Sequence, residues 1–114
     1  MSDFGAIIYI DKKDKSFFTE KEIKNITSIC DQVRNEIALT NSLGEPYLFS
    51  VGRMINLDSD YSYKLNVLLS NHWGDASQFK WHKEIDGKDM KVIASTLREL
   101  LPKEYKLQAK FEWW

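Results

Sequence analysis

His72 and His82 are the only imidazoles in this chain, and Asp75 and Glu84 lie close to them in sequence. Two histidines and a carboxylate make a ligand set for a divalent metal. Helical HExxH sites, however, bring their histidines together at i, i+4, which the pair here lacks, and no cysteine stands nearby. If the Trp73–Trp81 segment folds as a hairpin, the two rings approach each other across it. Otherwise the spacing fits histidines that face solvent or an interface, and no metal site is expected.

The other candidates for chemistry are sparser. Cys30 is the only thiol, and it falls on what reads as the apolar stripe of a helix. Burial there raises a thiol pKa and hides the sulfur, so a small buried hydrophobe is expected. Asp58 and Asp60 form a D-x-D, but position twelve counted from Asp58 is Leu69, where a calcium loop needs glutamate. Asp and Ser are also good turn formers in their own right. The glycines match neither G-x-G-x-x-G nor a Walker pattern, and no G-x-S-x-G elbow occurs. A Ser-His-Asp set can be assembled from scattered residues, but no spacing selects one. The residues therefore give no catalytic assignment and imply no cofactor.

These residues must be held by a fold, and 114 residues suffice for a single domain over 1–114 with one hydrophobic core. Sixteen basic and seventeen acidic side chains nearly cancel, and no basic run exists to displace counterions from phosphate, so nucleic acid is not an expected partner. No apolar stretch approaches the roughly 20 residues that span a bilayer. The opening Met-Ser-Asp-Phe-Gly does not read as a secretory signal, which leaves the cytoplasm as the expected compartment and no membrane partner.

Phe4 to Ile10 is apolar on both parities, as in a strand at the middle of a sheet. Thr19 and Glu22 form a capping box, Phe18 and Ile23 a hydrophobic staple, and Ile23, Ile26, Cys30, Val33 and Ile37 follow at helical spacing. Tyr47 to Ile55 reads as a strand, Asn56 to Asp60 as a hairpin turn, and Tyr61 to Leu69 as a second strand with alternating faces. Asn71 to Asp75 reads as another turn, with Gly74 and Gly87 also assigned to turns and a short strand expected around Phe79 and Trp81. A second helix is expected to begin at Asp86 or Asp89 and to stop before Pro102, with Met90, Ile93, Ala94, Leu97 and Leu101 inward. Tyr105 to Trp113 alternates strictly. The fold class is α+β, an antiparallel sheet of four to five strands with two helices on one face. Its order β-α-β-β-(β)-α-β is the pattern of a ferredoxin-like split βαβ arrangement.

Aromatic residues make up 13% of the chain, and several occupy turns or the last strand, where strand burial does not require them all. Exposed Trp and Tyr beside charged groups suit protein contact. The candidate partner-binding residues are Asp58, Asp60, Tyr61, His72, Trp73, Asp75, Trp81, His82, Glu84, Trp113 and Trp114. Asp58, Asp60 and Asp75 are placed at the rim, and the acids of residues 56–89 outnumber the lysines there, a tilt suited to a basic partner.

The opening third resembles the small immunity proteins of bacterial contact-dependent and polymorphic toxin systems. The likeness lies in Phe4-Gly5-Ala6-Ile7-Ile8-Tyr9-Ile10, a charged turn, and the helix start Phe18-Thr19-Glu20-Lys21-Glu22-Ile23. It implies a one-to-one complex with a cognate toxin, no chemistry of its own, and no shared motif from which site residues carry over. A net charge of −1 departs from the strongly acidic inhibitors that mimic nucleic acid. The expected function is a protein-binding module of inhibitor or immunity type. The alternative is a small ligand-binding or catalytic ferredoxin-like domain, dimeric, with its site in the aromatic groove. Monomer and dimer both stay open for the first reading.

Overall fold

A computed structural model describes residues 2–53 and 63–114. Among them are seven elements: β1 (Ser2–Lys12), α1 (Glu20–Glu36), β2 (Ser50–Arg53), β3 (Lys64–Leu68), β4 (His72–Gly74), α2 (Ala76–Leu100) and β5 (Tyr105–Trp113). The class and the element order are those the sequence predicts. The expected hairpin turn at 56–60 and the start of the following strand lie outside the described residues.

β1 is the hub. β3 and β4 pair antiparallel along one of its edges and β5 along the other, while β2 pairs with β3. β3 therefore lies between β1 and β2, and β1 lies between β5 and the β3/β4 edge. Each helix connection spans an intervening strand. This central position explains the two-sided apolarity of β1. Phe4, Ala6, Ile8 and Ile10 point into the helix-covered core and are fully buried, and Ile7 on the opposite face is nearly so.

β3 and β4 act as one strand interrupted by a bulge. Ile7 pairs with Leu68 and Phe4 with His72, so residues 69–71 face only Gly5 and Ala6. The Leu69 and Ser70 N–H groups both donate to the Ala6 carbonyl, at 2.9 and 3.4 Å, and the Ala6 N–H donates to Ser70 Oγ at 3.1 Å. The bulge folds the Ser70 carbonyl over Gly5, where a Cβ would lie 1.9 Å from that oxygen. Only glycine fits. The segment read as a turn at 71–75 is thus strand β4 up to Gly74.

α1 begins as expected, with Thr19 Oγ1 accepting from the Glu22 N–H and Glu22 returning the bond to the Thr19 N–H. Ile26, Cys30 and Val33 are buried, and burial pushes the Cys30 thiol up to about 12. α2 begins ten residues or more before the expected start, capped by Asp75, whose carboxylate accepts from the Ser77 N–H. The strand expected around Phe79 and Trp81 is its first turns, and Gly87 lies in its interior. Sequence hid this because the inward stripe of those turns includes His82 and Asp86, polar residues that break the apolar period. Farther on, Met90, Ile93, Ala94, Leu97 and Leu101 are buried as predicted.

The strand expected over Tyr47–Ile55 shrinks to Ser50–Arg53 among the described residues. Tyr47 and Phe49 are still buried, but from an irregular segment in which Phe49 adopts a φ of 50°. Such left-handed geometry is rare for a bulky side chain, and here packing of the ring into the core enforces it.

Candidate functional site

The site starts with a tight loop. Asn41 Oδ1 accepts from the N–H groups of Leu43 and Glu45 at 2.9 and 3.1 Å, Gly44 takes a φ of 76°, and Thr40 bridges Pro46. This closure presses Ser42 against α2 and β4. The Ser42 N–H donates to Asp86 Oδ1 at 2.8 Å, and Ser42 Oγ lies 2.6 Å from His82 Nδ1 and 3.3 Å from His72 Nε2. His72 Nε2 lies 2.5 Å from Asp86 Oδ2. Tyr47 donates its hydroxyl to Asp89 at 2.6 Å and to Asp86 at 3.3 Å. The two imidazoles stack with centroids 4.0 Å apart.

Asp86 is 0% exposed, His72 4% and His82 5%, so this is a buried polar network and not the surface pair that the sequence suggests. Burial, reinforced by the neighbouring His72, holds the His82 pKa below its ordinary value, with Asp86 opposing. His82 Nδ1 and the Ser42 hydroxyl share a hydrogen bond whose direction follows the imidazole tautomer, and Ser42 Oγ also reaches Asp86 Oδ2 at 3.5 Å. His72 donates from Nε2 to Asp86, and its Nδ1 is buried without a hydrogen-bond partner among the described residues.

Serine, histidine and aspartate meet here, but not as a relay. A triad base takes the serine proton on one nitrogen and is oriented by a carboxylate on the other. Here the ring that contacts Ser42 most closely is His82, while the carboxylate holds His72. The loop amides nearest Ser42 are not free to stabilise an oxyanion: Ser42 donates to Asp86, and Leu43, Gly44 and Glu45 donate to Asn41. Among the described residues no group of three His, Cys, Asp or Glu side chains is placed to hold a metal ion. The network's evident work is to bind three distant segments into one wall.

Over that wall lies a shallow pocket of about 360 Å³, with Leu43, Asn71, Trp73, Gln78 and Trp81 around the two imidazoles. Trp73 is 64% exposed, Trp81 49%, Trp114 48% and Leu43 56%. Asp3 pairs with Trp73 on one side, and its carbonyl accepts from the Trp114 N–H on the other. Both indoles therefore sit at the same end of the sheet. Trp113 points to the opposite face, stacked on Phe79 at 5.0 Å and touching Phe4.

The structure thus gathers Trp73, Trp81, Trp113 and Trp114 at one end, with His72 and His82 as the pocket floor. Asp75 is a helix cap. Glu84 is exposed on α2 but lines a different groove, beside β5. Asp58, Asp60 and Tyr61 lie outside the described residues. Of the acids credited to a basic partner, Asp86 and Asp89 are committed to Ser42, His72 and Tyr47. Sequence reading missed Ser42, Tyr47 and Asp86 as site residues. For Asp86 a signal existed, since it follows His82 by one helical turn and precedes Met90 by another. No local signal marks Ser42. No family model, curated protein or solved structure matches the chain.

Proposed function

We propose that this chain is a protein-binding module, an inhibitor or immunity partner that neutralises a cognate bacterial toxin by direct contact through its tryptophan-rich end. One observation carries the reading: Trp73, Trp81 and Trp114, all about half exposed or more, collect with Leu43 around one pocket and one sheet end. Indoles left in water where the core has no need of them favour a partner, since each buries a large area at little conformational cost. The likeness of residues 4–23 to immunity proteins supplies the partner class.

The test is to look for a toxin gene adjacent to that of this chain, to co-express the two, scoring growth, and to measure affinity and melting temperature for Trp73→Ala and Trp114→Ala. An anchoring indole loses at least about 2 kcal/mol of affinity on truncation while the fold melts normally. If neither variant loses affinity, or both melt early and bind normally when folded, the contact surface lies elsewhere. A second reading, a small-ligand site, is favoured by the buried unpartnered His72 Nδ1 below the pocket. It requires a ligand whose binding His72→Phe abolishes and Trp114→Ala leaves intact.

A further inference from the structure

We infer that β5 is a docking edge for an extended acidic segment of a partner protein, which adds to the sheet as a further strand. The Trp114 N–H donates to Asp3, and the Glu104 carbonyl accepts from Lys13. Even-numbered residues of this strand therefore carry the bonds to β1. In an antiparallel ladder the alternate residues turn both backbone groups the other way. Leu107, Ala109, Phe111 and Trp113 thus present N–H and C=O groups to an edge that no strand among the described residues covers. Arg98 already donates to one of these outward groups, the Leu107 carbonyl, at 3.4 Å. The strand contains no proline, and a long free edge of this kind is a template for pairing.

Beside that edge runs a groove of about 690 Å³ between β5 and α2, floored by Met90, Ala109 and Phe111. Lys83, Lys88 and Lys91 stand along its α2 rim, none of them in an ion pair among the described residues, with Lys83 over the Phe79 ring, while Lys110 turns to the opposite face of the sheet, over the Tyr9 ring. Glu112 accepts from the Tyr9 hydroxyl on that same opposite face, which leaves Glu84 as the acid beside the three lysines. The charge therefore selects an acidic occupant. A second copy of the chain fits poorly, because a two-fold axis along this edge sets the lysine rim against its own mate.

Gly87 is the independent observation. It lies within α2 and lines the groove, yet a Cβ there would meet nothing nearer than Lys83 Cγ at 3.6 Å. That is ordinary contact, and its φ is not left-handed. The fold makes no demand for glycine at a position where glycine weakens a helix. Its effect is to widen the groove.

The probe is a fluorescein-labelled peptide of about nine alternating Glu and Val residues, long enough to match β5, with a Lys/Val peptide as control. In low salt the full chain is expected to bind the Glu/Val peptide at least about tenfold more tightly than the control. Amide exchange at Leu107, Ala109 and Phe111 slows in the complex, and that at Gln108 and Lys110 does not. Gly87→Leu, checked for folding by melting temperature, weakens binding at least about tenfold, while Trp73→Ala leaves it unchanged. The Trp73 control separates this edge from the tryptophan-rich end, so either can fail alone. Equal binding of both peptides, no binding near about 1 mM, or unaltered exchange along the edge overturns the proposal. So does a dimer in light scattering that Gly87→Leu dissociates, since a second copy then occupies the edge.

Discussion

Glu22 ties three parts of the molecule together. Its carboxylate accepts from Lys12 Nζ at 2.8 Å, the Thr19 N–H at 3.0 Å and the Tyr105 hydroxyl at 3.0 Å, joining β1, the cap of α1 and β5. The lysine ammonium first, and the backbone N–H next, hold its pKa down to about 2 from 4.5. A carboxyl depressed by folding stabilises the native state fully above its ordinary pKa and progressively less as pH falls through the folded one. Urea melts between pH 4.5 and 2 are therefore expected to show a steep loss of stability that Glu22→Gln flattens. An unchanged slope would place the acid sensitivity on another group. His82 works at a higher pH. Because folding holds its pKa below 6.5, the neutral ring is the native form. Its contribution is complete above pH 6.5 and declines as pH falls below that value. Replacing it with Asn, which keeps an acceptor for the Ser42 hydroxyl, should remove this slope in thermal melts recorded from pH 7 downward. A slope that survives would assign it to another group.

At the scale of elements, α2 holds an unused margin. Gly87→Ala is expected to raise stability by about 1 kcal/mol, because alanine favours the helix and the space for its methyl is already there. A loss in chemical denaturation would mean that the helix backbone needs the glycine after all. The same helix shows what was legible in the sequence. The start of α1 was readable to the residue, and its inward face too, because cap and stripe are local signals spoken by neighbours three and four apart. The C-terminal half of α2 was readable for the same reason. Its first turns were not, because His82 and Asp86 take inward positions for the sake of Ser42, a residue 40 positions away from His82. Gly74 in β4 and Gly87 in the helix likewise read as turns, because glycine's local preference points that way and only long-range packing overrides it. The tryptophans at residues 73, 81, 113 and 114 were legible as a surplus. Their convergence was not, since it depends on the register of β1 with both of its neighbours.

The whole molecule is a flat slab, 39 × 35 × 17 Å, one sheet and one helical layer thick. Each core side chain thus serves both layers, and Phe4 most of all, with rings of His72, Phe79, His82, Phe111 and Trp113 about it. Phe4→Ala is expected to cost about 3–5 kcal/mol. Trp81→Ala, at the exposed rim, should shift the melting temperature by no more than a few degrees. Comparable losses in the two variants would show the rim to be part of the core. The hub position of β1 has one more effect, and it concerns time. Every strand that flanks β1 lies more than 50 residues away along the chain, and β5 ends at Trp113. In synthesis from the N-terminus, this most apolar segment is made before any of its partner strands and finds its last neighbour only when residue 113 has been added. Closing such long loops before any contact rewards them slows folding and lengthens the exposure of a sticky strand. A nascent-chain chaperone that shields residues 4–10 would therefore raise the yield of native protein more than one acting on the finished chain.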